Sequence, residues 1–365
     1  MFTHLEFLNI YYLYLQNKLQ IKQVMLPIIN EADISDFINS SSTAILIDFR
    51  SREIYELGHL PNSINIPACT IGFEIDEIKT QAEKGALISH IGGRFSDIAN
   101  QISNPDQLPL FIYDDGDQLI SFVLASLFQV VGVDVTILKG GYHSFRLYLK
   151  RFLQGYFWNF VIVGGPLGSG KRGILENLYL QGEQVLDLEG IAKKLSPEAF
   201  FSDVWQACTP EKFENELLWT LVSLNSKKII WVKYDQPVLS DHALPQLFRN
   251  YLNDCPIIYF SRPFQERLDN IILEYSEKDK SVLHDSILKI SRRLGVRRTQ
   301  EALKLIDNND INALSELLLS CFDQLYNYWF KQRESDKVLL EIEDNDPNKA
   351  VNMLIDFAKD NLRTL

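Results

Sequence analysis

The sequence predicts an α/β protein in which two domains follow one another, the second of P-loop type and closed by C-terminal helices. Short apolar runs of strand type alternate with helically spaced segments along most of the chain, the pattern of a mostly parallel sheet. The run Phe160–Val163 feeds the glycine-rich stretch Gly164-Gly165-Pro166-Leu167-Gly168-Ser169-Gly170-Lys171, and helical spacing at Ile174, Leu175 and Leu178 follows. That is the strand–loop–helix context of a phosphate-binding loop. A chain of 365 residues fits two or three domains, each with a sizeable core.

Composition narrows the classes. A hydrophobic share of 46% and a charged share of 23% are ordinary for a globular chain. The net charge of −12 excludes a chain-wide nucleic-acid coat, so any such contact has to come from a local basic patch. Cys69, Cys208, Cys255 and Cys321 are scattered, with no C-x-x-C pair. They are expected to be reduced, mostly buried thiols of a cytoplasmic protein, without a bound metal. Met1–Gln23 is rich in leucine and aromatics, but Glu6, Asn9 and Gln16 interrupt it. It has no basic start, no small-residue cleavage site and no apolar run long enough to cross a membrane. Residues 1–24 are therefore expected to be an extension, with folding starting near Met25 and no membrane partner.

The first domain is expected over residues 25–152. Ala44–Asp48 reads as a buried strand, Arg50–Leu57 as a helix, Gly58–Ser63 as a turn and Ile64–Pro67 as a short strand. Leu110–Tyr113, Ile120–Val130 and Val135–Leu138 continue as strand, helix, strand. The second domain is expected over residues 155–365. After the glycine loop come strands at Gln184–Asp187, Lys228–Val232 and Pro256–Phe260, with helical patterns at Glu211–Leu224, Leu244–Leu252 and Phe264–Tyr275. Ile311–Arg333 carries a core-facing stripe of Leu314, Leu317, Leu318, Cys321, Leu325 and Tyr328. Lys337–Ile342 reads as a strand, and Asp346-Pro347 as the cap and first residue of a helix through Ala358.

The glycine loop carries the clearest chemistry. Gly165, Gly168, Ser169, Gly170 and Lys171 are its phosphate-binding candidates: turned backbone N–H groups and a helix N-terminus attract an anion, and Lys171 adds a point charge. Arg172 stands where Ser or Thr would offer a hydroxyl to Mg²⁺. A phosphate-containing small molecule is the expected ligand, held without a metal.

Asp48-Phe49-Arg50, Glu53-Ile54-Tyr55, Gly58-His59-Leu60-Pro61 and Ile64-Asn65-Ile66-Pro67, with Leu138-Lys139-Gly140-Gly141-Tyr142 and Phe145-Arg146, resemble a rhodanese domain. Rhodaneses carry sulfur on a cysteine in the loop after the strand equivalent to Leu110–Tyr113. That loop here is Asp114-Asp115-Gly116-Asp117-Gln118-Leu119-Ile120-Ser121, with neither cysteine nor arginine. Its acids read either as oxygen ligands for a divalent cation or as a solvated loop, the latter being the simpler. Cys69 is a poor substitute carrier, lying in another loop without basic neighbours, and His59 is expected to pack and hydrogen-bond within its turn.

A rhodanese-like domain joined to a P-loop domain resembles the bacterial tRNA 2-selenouridine synthase family. Further stretches carry the likeness: Asp187-Leu188-Glu189-Gly190-Ile191-Ala192, Phe213-Glu214-Asn215, Leu244-Pro245, Pro263-Phe264-Gln265-Glu266-Arg267-Leu268, Ile290–Gly295 and Asp323–Tyr326. The resemblance implies tRNA as substrate, with selenophosphate and geranyl diphosphate as co-substrates in modifying wobble 2-thiouridine. It also puts the departures on chemical positions. Asp114 occupies the place of the family's cysteine, which leaves no catalytic residue to name. Arg172 replaces the loop hydroxyl, Lys194-Leu195-Ser196-Pro197 a family H-R-G-S, and Lys233-Tyr234-Asp235-Gln236-Pro237 an acidic segment. A transferase with selenium transfer lost or impaired is one expectation. A non-catalytic homologue binding tRNA, a phosphate compound or a protein partner is the other.

One basic stretch, Lys289-Ile290-Ser291-Arg292-Arg293-Leu294-Gly295-Val296-Arg297-Arg298, breaks the acidic balance. As a continuous helix it would set Lys289, Arg293 and Arg297 on one face, and with Arg292 and Arg298 these are the RNA-binding candidates. The alternative is that Gly295 ends a helix whose C-terminal dipole the cations complement.

Overall fold

The structure is a computed structural model that describes residues 29–40, 43–69, 80–104, 106–155, 158–195, 209–234, 244, 246–331, 338–342 and 347–361. The expected 1–24 extension, Met25, Cys208, Ser196-Pro197, Asp235-Gln236-Pro237, Pro245 and the Asp346 cap lie outside these residues. The chain divides into two compact units, 1–52 with 62–144, and 53–61 with 145–365.

In chain order the first unit contains β1 (Asn30–Ala32), α1 (Ile34–Ser40), β2 (Ile45–Asp48), β3 (Ile64–Asn65), α2 (Gln81–Asn100), β4 (Leu110–Tyr113), α3 (Leu119–Val130) and β5 (Val135–Leu138). Its sheet runs β1-β5-β4-β2-β3, every pair parallel. All four residues of β4 are buried, which is why it reads as an unbroken apolar run and not as an alternation. Helix α2 begins at a capping box: Thr80 Oγ1 accepts from the Glu83 amide at 3.2 Å, and Glu83 Oε2 accepts from the Thr80 amide at 2.7 Å. Its Leu87, Ile91 and Ile98 join Ile112, Leu124 and Phe128 in the core.

Residues 53–57 of a helix at Arg52–Leu57 belong to the second unit, as does α4 (Gly141–Gly155) from Phe145 on, its first turn belonging to the first unit; β6 (Phe160–Gly164), α5 (Lys171–Leu180), β7 (Gln184–Leu186), α6 (Leu188–Leu195), α7 (Pro210–Val222), β8 (Ile230–Lys233), α8 (Gln246–Asp254) and β9 (Ile257–Phe260) follow. Then follow α9 (Phe264–Ser276), α10 (Lys280–Lys289), α11 (Ser291–Leu294), α12 (Val296–Asp307), α13 (Ile311–Lys331), β10 (Val338–Ile342) and α14 (Pro347–Asn361). The sheet order is β10-β9-β6-β8-β7, again all parallel. The loop after β6 thus opens beside the ends of β8 and β9, the place where open parallel sheets bind ligands. Val161, Ile174, Leu178, Trp231, Ile258 and Leu354 fill one core layer, and helices α9 to α13 form a second.

Within this unit the turn at Gly58–Pro61 is tied to α7. Asn215 Nδ2 donates to the His59 carbonyl at 2.8 Å, and Arg146 donates to Asn215 Oδ1 at 2.7 Å and Glu214 Oε2 at 2.5 Å. His59 packs as expected, stacked on Tyr55 with ring centroids 3.8 Å apart and Nδ1 2.8 Å from the Tyr55 carbonyl. One expectation on α13 is corrected. Tyr328 is 70% exposed, while Tyr326 and Trp329 are buried. The stripe through Leu318 and Phe322 continues four and seven residues on, at Tyr326 and Trp329. Tyr328, at a 100° step per residue, swings to the solvent side.

Candidate functional site

Two loops merit description, one in each unit. In the first, β4 ends in a backbone pinned from α4's first turn: the Tyr142 amide donates to the Asp114 carbonyl at 2.8 Å and the His143 amide to the Asp115 carbonyl at 2.9 Å. Gly141, with φ 55°, makes this approach possible, since a Cβ there would lie 2.5 Å from the Asp114 carbonyl oxygen. Asp114 is not part of a solvated loop. It is 2% exposed, with Oδ1 accepting from the Gln118 amide at 3.2 Å and Oδ2 from the Ser121 amide at 3.0 Å. Burial pushes its carboxyl above the usual carboxylate range, and the Ser121 amide pulls in the opposite direction. Asp115 and Asp117 face solvent.

An arginine does reach this loop, from outside it. Arg50 is 3% exposed and grips Asp48 by two nitrogens, Nη2 to Oδ2 at 2.7 Å and Nε to Oδ1 at 3.1 Å. Its guanidinium lies 3.8 Å from the Tyr142 ring centroid, and Nη1 stands 3.7 Å from Asp115 Oδ1. Cys69 has a basic neighbour after all, because α2 brings up Arg94, whose Nη1 donates to the Pro67 and Ala68 carbonyls at 3.2 and 2.9 Å. Burial still pushes the Cys69 thiol up, against the pull of Arg94, which disfavours the thiolate a sulfur carrier needs.

In the second unit the glycine loop wraps the lysine. Lys171 is 5% exposed, and its Nζ donates to the Gly165 and Pro166 carbonyls at 2.6 and 2.9 Å, with Ser169 Oγ at 3.4 Å. The loop is braced by α9 and α13. Tyr326 Oη accepts from the Gly165 amide at 2.7 Å, Asn270 Nδ2 donates to the Gly168 carbonyl at 2.9 Å, and Arg267 Nη1 donates to the Leu167 carbonyl at 3.0 Å. Arg267 also grips Asp323 through two bonds of 2.8 and 2.7 Å. Gly165, Gly168, Ser169, Gly170 and Lys171 thus share one loop, with a helix N-terminus directly behind it.

Arg172 turns to the side of the loop. It is 70% exposed and pairs with Glu176 at 3.0 Å, one turn along α5. Beside it is a cavity of about 250 Å³ lined by Arg172, Glu176, Tyr179, Asp187, Glu189 and Lys233 among others. Lys233 pairs with Glu189, and Asp187 Oδ1 accepts from the Gly190 amide at 2.9 Å. Lys194 is engaged too, with Nζ 3.0 and 2.9 Å from the Glu216 carboxylate oxygens.

The basic stretch is not one helix. Gly295, at φ 77° and ψ 161°, separates α11 from α12, so Lys289 and Arg293 do not share a continuous helical face with Arg297. Lys289, Arg292 and Arg297 are exposed. Arg298 is part-buried and donates to Gln324 Oε1 at 3.0 Å and Cys321 Sγ at 3.4 Å. One cation at the glycine loop escaped the sequence reading. A Cβ built on Gly170 would lie 3.3 Å from Cζ and Nη2 of Arg262. The signal available was position: Ser261-Arg262-Pro263 leaves β9, a neighbour of the P-loop strand in the sheet.

Comparison with known proteins adds the relatives. The family described as the tRNA 2-selenouridine synthase AAA domain matches residues 158–353, more than half of the chain, and the rhodanese-like domain family matches residues 31–147. The chain is similar to the tRNA 2-selenouridine synthase of Proteus mirabilis, 22% identical over 339 residues, covering 80% of this chain and 91% of that one. It is 24% identical to the enzyme of the same name from Sulfurovum sp. over 342 residues, 80% and 90% of the two chains. The Salmonella paratyphi B enzyme is likewise 24% identical, over 80% and 91%.

Proposed function

Because the chain belongs to the tRNA 2-selenouridine synthase family, we propose that it is a cytoplasmic tRNA-directed member whose P-loop unit still takes a phosphate compound, while thiol-borne selenium transfer is lost. The observation that carries this is Asp114. A sulfur or selenium carrier needs a nucleophilic thiolate, with backbone amides around the charged adduct. At the family's cysteine position this chain has a carboxyl, and its own oxygens already take the Gln118 and Ser121 amides. A carboxyl forms no persulfide and no selenide adduct, and it keeps an anionic donor off those amides. Selenophosphate is accordingly not expected to be used at Asp114.

Features of the P-loop half that support anion binding are glycines at positive φ in the loop, a buried Lys171 and a helix N-terminus. By family resemblance its ligand is a diphosphate such as geranyl diphosphate, and the tRNA contact draws on the exposed Lys289, Arg292 and Arg297. Among the described residues no helix is long and apolar enough to cross a membrane. The test is mass spectrometry of tRNA nucleosides from cells with and without the gene. A change confined to geranylated 2-thiouridine is expected. A selenouridine pool that depends on this gene alone would refute the lost transfer step. If 2-thiouridine and both derivatives stay unchanged, the transferase role falls and a non-catalytic binding role is left.

A further inference from the structure

A P-loop normally presents its phosphates with a divalent cation, held by the Ser or Thr after the lysine and by an acid at the end of the neighbouring strand. Among the described residues, those at these positions do not fit that ion. The position after Lys171 is Arg172, and the end of β8 is Lys233, which lies opposite Val163 of the P-loop strand in the parallel register. Both residues line the cavity of about 250 Å³ beside the loop. Each is paired with a carboxylate there, Arg172 with Glu176 and Lys233 with Glu189. Two cations thus stand where a cation's ligands belong; they engage Glu176 and Glu189, while the third carboxylate of the cavity, Asp187, accepts from the Gly190 amide. Among the described residues no three His, Cys, Asp or Glu converge on a point that would hold a metal.

Positive charge is supplied instead by a side chain on the far side of the loop. Arg262 follows β9 and lays its guanidinium against Gly170, the N-cap of α5. Its carbonyl accepts from Arg267 Nε at 3.2 Å, and the carbonyl of the next residue, Pro263, accepts from the Arg267 amide at 3.2 Å. Arg267 is itself locked to Asp323 and to the loop carbonyl of Leu167. The guanidinium is therefore carried by the same brace that shapes the loop. Gly170 has φ 84° and no side chain, so nothing of its own stands between Arg262 and the loop's first-turn amides. A planar guanidinium with several donors is suited to phosphate oxygens, more so than an ammonium.

We propose that the P-loop unit binds a diphosphate-class ligand without a divalent cation, with Arg262 and Lys171 supplying the charge that Mg²⁺ supplies at other P-loops. This rests on the phosphate-binding reading above and gives it a ligand state and a further binding residue.

The experiment is calorimetric titration of the full-length protein with inorganic pyrophosphate, once with EDTA and once with Mg²⁺. Binding in EDTA that Mg²⁺ does not strengthen is expected, as is a loss of about tenfold or more in affinity in Arg262→Ala, the size of one charge-assisted contact. Arg262→Lys should retain part of the affinity, which separates lost charge from a misfolded loop. The double variant Arg172→Thr/Lys233→Glu restores the metal positions and should acquire Mg²⁺-dependent binding. A requirement for Mg²⁺ in the wild type, or unchanged affinity in Arg262→Ala, would overturn the proposal while leaving the phosphate reading intact. Pyrophosphate binding that is absent in both buffers, or unaffected by Lys171→Ala, would remove the phosphate reading itself.

Discussion

Removing one partner of the Arg267–Asp323 pair should cost far more than an exposed ion pair would. The Arg267 side chain is 7% exposed and that of Asp323 20%, and the pair is bidentate at 2.8 and 2.7 Å. Arg267 also serves two carbonyls, of Leu167 and Arg262. In Asp323→Ala the guanidinium stays buried and loses its only carboxylate partner among its described hydrogen bonds. An uncompensated buried charge costs about 3–5 kcal/mol, against about 0–1 kcal/mol for a surface pair. The remaining carbonyl contacts and the partial exposure of Asp323 argue for the lower end, about 3 kcal/mol. Against a typical stability of about 5–15 kcal/mol this is a visible shift of the urea midpoint, read by fluorescence of the buried Trp231 in the same unit. The double variant Arg267→Met/Asp323→Leu removes both charges at similar volume and should recover at least half of the loss. A loss below about 1 kcal/mol in Asp323→Ala would refute the burial argument, and so would a double variant as unstable as the sum of the singles.

Two further outcomes follow from the first unit. Gly141→Ala puts a Cβ 2.5 Å from the Asp114 carbonyl oxygen at φ 55°, so backbone has to move. A loss of about 2–4 kcal/mol in urea unfolding is expected, and a neutral result would mean that the loop contact is not tight. Asp114 gives a signed pH dependence. Its folded carboxyl sits above the ordinary value of 3.8, chiefly through burial, so the native state binds this proton more tightly than the unfolded chain does. Its contribution to stability is therefore lost as pH rises from about 4 through the folded value. Measured as wild type minus Asp114→Asn, stability should fall as pH rises from about 4; a flat or rising difference would contradict the sign.

Much of the fold was readable because parallel strands buried on both faces are compact apolar runs. β4, β5 and β9 sit within a residue of where their hydrophobic runs place them. The 20-residue α2 was not read, since Gly85, Gly92 and Gly93 dilute its helix propensity, although Thr80-Gln81-Ala82-Glu83 carried a capping-box signal. β1 is three residues long and polar, so it has no hydrophobic period to detect. The glycine loop and Lys171 were legible as a local motif. The place of Arg262 was not, because it depends on β9 lying beside β6, a fact of strand order that no local pattern encodes. The continuous basic face does not form for a local reason: Gly295, at φ 77°, ends α11 before Arg297.

The residues that keep their expected places do not all argue for activity. Arg50 and Arg267 are each at most 7% exposed and bonded to carboxylates. A fold that buries such groups loses stability when a partner goes, so their presence is explained by folding alone. Arg172 is different: at 70% exposure almost any residue there is tolerated energetically, so burial does not account for its identity. Asp114 is the opposite case. A carboxyl at 2% exposure is a costly residue for packing, yet its oxygens accept two amides at the start of α3, which would otherwise lack intrahelical partners. It completes a helix start in the same place where a thiol would leave those amides open to a ligand. Thiol chemistry at 114 and closure of the helix start are therefore alternatives at one position, and this chain has the second.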